Sequence, residues 1–320
     1  MAAPSSALTQ LRPDLGSLME FDVQASRMGF IGLNVLPVIN VGVQAGSFGK
    51  ITIESLLQQR DTDRAPGAGY NRSDFQFTTD SFATKEHGAE EPVDDREAAM
   101  YANYFDQEAM AAVRARDIVL RNFEVRVSAA VFNATTWTPT SLTNEWDDAT
   151  NATPITDIEA AIVRGRTNGV MLDTLVVSWS SFRNLRNCDQ VISRIQSAGA
   201  GDRTEPSDIT AAKLAQVFDL RQVLVGDAQK QTAAEGQTSS LGDVWSNEYA
   251  AVCKVAQTSD IREPAVGRTF HYTEDGSDIG GVMESYRDET VRSDIIRARM
   301  DTQEKIVYTE ALELLDNVTT

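Results

Sequence analysis

The sequence predicts an α+β fold: an N-terminal arm, an extended β-hairpin, a long spine helix with peripheral strands, and an α/β block. Three observations predict it. Val93 to Thr138 contains neither glycine nor proline and carries a helical apolar stripe. Two strand-like runs precede that stretch and flank a tip rich in turn residues. Helical and strand patterns then alternate over 155–230 before a β-rich tail.

Residues 1–48 read as the arm. Pro4, Pro13 and Pro37 recur with Gly16, Gly29, Gly32, Gly42 and Gly46, and no 3.6-residue stripe lasts more than two turns. The segment is nevertheless apolar, with Phe21, Phe30, Ile31, Leu33, Val35 and Leu36. An irregular apolar arm has to lie on something, either its own domain or a neighbour.

Residues 49–92 read as the hairpin. In "KITIES" Ile51 and Ile53 share one face. In "DFQFTTDSFATKEH" Phe75 and Phe77 are in phase and Phe82 is out of phase, as a bulge would produce. Between them lies "LQQRDTDRAPGAGYNR", a charged tip. An isolated hairpin is marginal in water, so this one must rest on a partner surface.

The spine helix is expected to start at caps Asp94 and Asp95, with Glu97 in its first turn. Its stripe runs through Ala98, Tyr101, Phe105, Ala109, Ala112, Val119, Phe123, Val127 and Val131. About 30 to 38 residues in one helix would span roughly 45–57 Å, too long for the inside of an ordinary globule. It reads as the spine of a flat body.

Within 151–261, "TDIEAAIVRGRTNG" is a helix ending at Gly169, and "MLDTLVVSW" is a buried strand. "SSFRNLRNCDQVISRIQS" is a helix with Phe182, Leu185, Ile192 and Ile195 on one side. "TAAKLAQVFDL" is a further helix and "RQVLVGDA" a further strand. In the tail, Asp275-Gly276 marks a turn after "TFHYT", and "GVMESYRDE", "SDIIRARM" and "KIVYTEALELL" follow as strands.

Composition narrows the function classes. The chain has 320 residues, 42% of them apolar, enough for one large or two ordinary cores. The net charge of −18 argues against a protein that grips nucleic acid by a broad basic face. Of 29 basic residues only six are lysine, and arginine suits pairing with carboxylates across interfaces. Two unpaired cysteines, Cys188 and Cys253, fit a reducing compartment. The start "MAAPSSALTQLRPD" shows no signal-peptide pattern, and "FIGLNVLPVINVGV" is too short to span a bilayer, so no membrane association is expected.

No catalytic, cofactor or metal assignment emerges. "QAGSFGKITIES" imitates a phosphate loop, but Gln44 stands where its first glycine belongs. Ile51 stands where the magnesium-holding hydroxyl belongs, and a strand follows instead of a helix N-terminus. His87 and His271 are the only histidines, with no second ligand at metal spacing. The pairs Glu90/Glu91, Asp94/Asp95 and Asp147/Asp148 read as caps or solvated turns. Asp61 and Asp63 resemble the start of a calcium loop that Ala65, Pro66 and Gly67 break.

The order of elements and several strings resemble the tailed-phage major capsid protein family with the HK97-type fold. "VDDREAAMYANYFDQEAMAAVRARDIVLRNFEVRVSAAVFN" looks like its spine helix. "EWDDATNATPITDIEAAI", "GVMLDTLVVSWSSFRNLRNCDQVISRI" and "LAQVFDLRQVLVGDAQ" look like its axial domain, and "YRDETVRSDIIRARMDTQEKIVYTEALELLDN" like its returning peripheral strands. The resemblance implies an N-terminal arm (1–48), an extended hairpin loop (49–92), a peripheral domain (93–150 and 262–320) and an axial domain (151–261). It implies a non-enzymatic shell protein that assembles into hexamers and pentamers of an icosahedral head in the host cytoplasm and ends in the virion. Its partners would be further copies of itself, portal, a separate scaffolding protein and decoration proteins, with packaged double-stranded DNA touched weakly. Arg60, Asp61, Asp63 and Arg64 at the hairpin tip, with Phe75, Phe77, Phe30 and Leu33, are the candidate intersubunit contacts. Lys85 is a candidate hairpin cross-linking lysine, although no partner for it is visible and no cross-link is assumed. Two alternatives remain: an encapsulin-like compartment, and a soluble α/β enzyme.

Overall fold

In a computed structural model the described residues are 10–11, 29–72, 77–101, 106–197, 206–234, 236–274, 276 and 279–319. In chain order the strands are β1 (Gln10–Leu11), β2 (Val38–Val41), β3 (Ala45–Ile51), β4 (Phe77–Ala83), β5 (Lys85–Asp94), β6 (Thr140–Ser141), β7 (Thr174–Ser178) and β8 (Gln222–Gly226). They continue with β9 (Gln229–Gln231), β10 (Leu241–Asp243), β11 (Ala250–Cys253), β12 (Gly267–Tyr272), β13 (Val282–Asp288), β14 (Ser293–Ile306) and β15 (Leu312–Asp316).

β14 organises the larger sheet. Along one edge it pairs antiparallel with β13 and then with β12; along the other it pairs antiparallel with β5, from Ser293↔Asp94 to Thr302↔Lys85. β2 lies parallel beside β12, and β1 closes the far side on β13. The helix Gln107–Val131 packs across β5 and β14. It turns Ala111, Ala112, Ala115, Val119, Leu120, Phe123, Val127 and Val131 into the core. This burial fixes the helix on the sheet, since an exposed helix of such mixed composition would hold only by its propensity.

The smaller sheet runs β6-β15-β11-β7-β8, with β6 parallel to β15, β7 parallel to β8, and the other pairs antiparallel. Every residue of β7 and β11 is buried, as the apolar centres of strands in a covered sheet require. The helices Pro154–Thr167, Trp179–Asn187, Asp189–Ser197 and Ala211–Val217 surround it. Gly169 ends the first of them with φ +84°, the left-handed turn that glycine permits.

The structure corrects several expectations. The long helix is not continuous: a first piece, Asp95–Tyr101, ends before Asp106, whose backbone is extended and whose side chain accepts from the N–H groups of Glu108 and Ala109. A new N-cap therefore starts the main helix, whose 25 residues span about 37 Å. The hairpin is β3 with β4, so its first strand begins at Ala45 and its second ends at Ala83. Residues Lys85–Asp94, and His87 with them, belong to the larger sheet instead. Ile53 opens a short helix, Ile53–Leu57, capped by the Thr52 hydroxyl.

No bulge sets the phase of Phe82. The β3–β4 ladder is regular from Ala45↔Ala83 to Ile51↔Phe77; Phe82 faces the body and Phe77 faces away. The helix expected across Cys188 is two helices, because Cys188 is extended and buried, its thiol donating to the carbonyls of Trp146 and Asn184. Within the arm, residues from Gly29 onward are docked on the chain's own core. Ile31, Val35 and Leu36 are buried there, and the backbone forms a helical turn, Gly32–Val35, and β2.

Candidate functional site

The hairpin is built by its sequence to be firm at one end only. At the root, Phe82 stacks on Phe270 with ring centroids 4.5 Å apart, and Phe48 packs on the same ring at 5.6 Å. Ala83 N–H donates to Gln303 Oε1 at 2.7 Å, and Lys305 pairs with Asp80 at 2.9 Å. Burial alone would raise the Asp80 carboxyl, but the Lys305 ammonium and the Ser81 N–H outweigh it and hold the group below the usual range. Lys50 closes the root from the other strand. Its ammonium donates to the Val307 carbonyl and lies 4.4 Å from the Tyr308 ring centroid, while the Tyr308 hydroxyl donates to the Ile51 carbonyl at 3.0 Å. The lysine of the imitation phosphate loop is thus a strand residue serving as a structural anchor.

Beyond the root, residues 56–72 are all exposed. Several of their bonds are local. Asp61 Oδ1 accepts from Asp63 N–H at 2.9 Å, and Asn71 Nδ2 donates to the Asp61 carbonyl at 3.0 Å. Arg64 Nε donates to the Ala68 carbonyl at 2.6 Å, with its guanidinium 4.7 Å from the Tyr70 ring. Arg60 Nη2 reaches Gln58. The four charged candidates Arg60, Asp61, Asp63 and Arg64 therefore share one curled, solvated tip. Phe77 (69% exposed), Leu57 (65%) and Tyr70 (75%) leave apolar surface uncovered on the same element.

The remaining candidates lie elsewhere. Phe30 and Leu33 sit half-buried against the chain's own core, away from the tip charges, and Phe75 falls outside the described residues.

Sequence reasoning missed a third feature, the buried carboxylate of Glu124 on the Gln107–Val131 helix. It is 1% exposed and accepts from Ile31 N–H at 2.8 Å, Gly32 N–H at 2.8 Å and Trp245 Nε1–H at 2.7 Å. One side chain thereby ties the N-terminal segment and the approach to β11 to the main helix. A signal for it exists in the sequence: Glu124 interrupts the apolar stripe between Phe123 and Val127, where a charge demands partners.

Arginine's planar fork is used largely within the chain. Arg287 meets both Asp95 oxygens at 2.6 Å, and Arg126 meets both Glu304 oxygens at 3.0 Å. Among the described residues no cluster of three or more His, Cys, Asp or Glu could hold a metal ion, and no helix is long and apolar enough to cross a membrane.

Comparison with known proteins agrees with this geometry. No family model matches the chain. The major capsid protein of Pseudomonas phage JBD67 is 24% identical over 247 residues, covering 75% of each sequence. A phage-related protein from Bordetella bronchiseptica RB50 superposes with a TM-score of 0.68 at 20% identity, covering 96% of this chain and 97% of that one. The mature capsid subunit of bacteriophage PhiM1 superposes at 0.52 with 14% identity, over 87% and 85%. The chain has the HK97-type capsid fold. The holo-SrpI encapsulin complex of Synechococcus elongatus PCC 7942 shares that fold at a TM-score of 0.51 and 10% identity, over 89% and 86%. In HK97-type terms β3–β4 is the protruding hairpin, the Gln107–Val131 helix is the spine, and the β11-centred sheet is the α/β block.

Proposed function

We propose that the chain is the major capsid protein of a tailed phage, a non-enzymatic subunit that self-assembles into the hexamers and pentamers of an icosahedral, DNA-filled head. One observation carries the reading beyond the fold: the hairpin is anchored at its root yet presents Phe77, Leu57, Tyr70 and a charged tip that its own body does not cover. Apolar and charged surface displayed together on one protruding element suits a head-to-tail interface that closes by rotation. The tip residues Arg60, Asp61, Asp63 and Arg64, with Phe75 and Phe77, would meet the next subunit. Phe30 and Leu33 would contribute at their half-exposed edges.

A division into an arm, a hairpin bounded by β3 and β4 (45–83), a peripheral domain that takes in β5 with 93–150 and 262–320, and an axial domain (151–261) belongs to the same proposal. So do assembly in the host cytoplasm, portal, scaffolding and decoration partners, and weak contact with packaged DNA, which the net charge of −18 suits. The encapsulin neighbour favours a second reading, a compartment that encloses a protein instead of DNA.

Negative-stain microscopy of the purified chain tests the proposal. Shells, rings or sheets are expected, and small uniform particles at every concentration would refute it. The content of purified particles, nucleic acid against a single enzyme, separates the two readings.

A further inference from the structure

The helix Trp179–Asn187 is locally basic within this acidic molecule. It contains no Asp or Glu, and Trp179, Arg183 and Arg186 recur at i, i+4 and i+7, one helical face. Trp179 is 45% exposed, whereas Trp137 (4%), Trp146 (0%) and Trp245 (0%) are buried. The Arg183 guanidinium lies 5.3 Å from the Trp179 ring centroid, and that of Arg186 lies 5.5 Å from the Phe182 ring. Arg186 also donates from Nε to the Pro206 carbonyl.

Many arginines elsewhere are neutralised by carboxylates, as in Arg121–Asp117 (2.7 Å), Arg164–Glu313 (3.0 Å), Arg221–Asp173 (3.2 Å) and Arg297–Glu90 (2.7 Å). Arg183 and Arg186 form no ion pair among the described residues. Asp189, at the start of the next helix, and Asp208, at the end of the turn whose Pro206 carbonyl Arg186 meets, pair with neither. Stacking on a ring holds a guanidinium in place without cancelling its charge, so the N–H groups of Arg183, and those of Arg186 other than Nε, can meet an outside anion.

We propose that this helix face, presenting Trp179, Arg183 and Arg186, is the surface through which the chain touches double-stranded DNA. The inference rests on the capsid reading and names the contact residues for it. Two arginines supply phosphate contacts, and the exposed indole covers the adjoining sugar edge. Nothing in so small a patch reads base sequence, and the surrounding negative charge keeps the contact weak and sensitive to salt. That suits DNA that must slide during filling and leave on release.

Because Trp179 is the exposed tryptophan, its fluorescence reports the contact directly. Purified full-length protein is titrated with a short mixed-sequence DNA duplex at several salt concentrations, before and after assembly. Wild type should show saturable quenching that weakens with salt. In Arg183→Gln/Arg186→Gln the apparent affinity at low salt should fall at least about tenfold, and the log–log salt slope should lose about two. Shells should form as before, and thermal unfolding followed by circular dichroism should be unchanged. Should the double variant unfold, Arg183→Gln alone, at an exposed position, should remove about half of the slope change.

Three results would overturn the proposal: no quenching of wild type, equal quenching of the variant, or folded variants that no longer assemble, which would make the face a subunit contact. Failure of the capsid reading looks different, because wild type itself would then form no shells.

Discussion

Substituting Glu124 probes how the N-terminal segment is held. The carboxylate is 1% exposed and takes three N–H donors at 2.7–2.8 Å, from Ile31, Gly32 and Trp245. Glu124→Ala strands all three in a buried site. At about 1–3 kcal/mol per unsatisfied buried donor the loss is about 3–9 kcal/mol, of which relief from burying the carboxylate returns a few. We expect the variant to be about 3–5 kcal/mol less stable, a large part of a typical domain's total. Glu124→Gln keeps one carbonyl and turns an amide N–H toward a donor, so it should cost about 1–2 kcal/mol.

The pH dependence has a definite sign. Burial pushes the Glu124 carboxyl up, and the N–H groups of Ile31, Trp245 and Gly32 pull it back only in part. A carboxyl that binds its proton more tightly when folded contributes stability that is fully present below the ordinary glutamate value. That contribution is lost as pH rises through the raised folded value. The wild-type advantage over Glu124→Gln should therefore narrow as pH rises from the ordinary glutamate range toward neutrality. Urea unfolding of dilute subunits, followed by circular dichroism, measures both effects. A Glu124→Ala stability within 1 kcal/mol of wild type, or an advantage that widens with pH, refutes the reasoning.

Three further outcomes follow from local geometry. Gly226→Ala places a Cβ 2.3 Å from Trp245 Cδ1, and that indole is fixed by its bond to Glu124, so a loss of about 2–3 kcal/mol should appear in the same unfolding assay. Tyr308→Phe removes the donor to the Ile51 carbonyl; amide exchange should quicken in β3 and β4 while the β11-centred sheet keeps its protection, a local cost of about 1 kcal/mol. Cys188 and Cys253 are fully buried, and burial pushes the Cys188 thiol up to about 12 and Cys253 higher still, so a thiol reagent at mildly alkaline pH should label neither until the chain unfolds. Native-state labelling of either would contradict the packing.

Much of the architecture was legible because its signals are local. The Thr174–Ser178 strand announces itself by the apolar run over 175–177, the end of the Pro154–Thr167 helix by Gly169, and the start of the Asp95–Tyr101 helix by Asp94, which accepts from Arg96 and Glu97 N–H groups. What misled were cases where two local signals compete. Asp106 lies inside a helical stripe, yet its side chain is a better N-cap than a mid-helix residue, and capping won. The β5 strand follows β4 with only Thr84 between them, so periodicity could not tell that one pairs with β3 and the other with β14. That choice depends on a strand two hundred residues away. Of the candidate site, the tip charges were readable as a cluster because the chain itself brings them together. The Glu124 clamp and the Trp179 face were not, since the first needs three distant segments and the second needs knowledge of which arginines lack carboxylate partners.

The distribution of anchoring within the hairpin bears on how assembly could be controlled. Its root is tied to β12, to β14 and to the Val307–Tyr308 segment by aromatic stacking, an ion pair and backbone bonds, whereas at the tip Asp61, Asp63, Arg64, Ala68, Tyr70 and Asn71 bond among themselves. An element fixed at both ends would be rigid but could not adjust to neighbours at different angles, as the rings of six and of five in the proposed head would require. One free at both ends would pay the whole ordering entropy on docking. Anchoring only the root sets the direction of the hairpin in advance and leaves the tip to conform. The cost of ordering then falls mainly on the exposed tip, which would let one chain close the two ring sizes of the proposed shell. Weakening the root, as in Tyr308→Phe, should on this logic slow assembly and broaden particle size, while leaving the stability of the β11-centred sheet untouched.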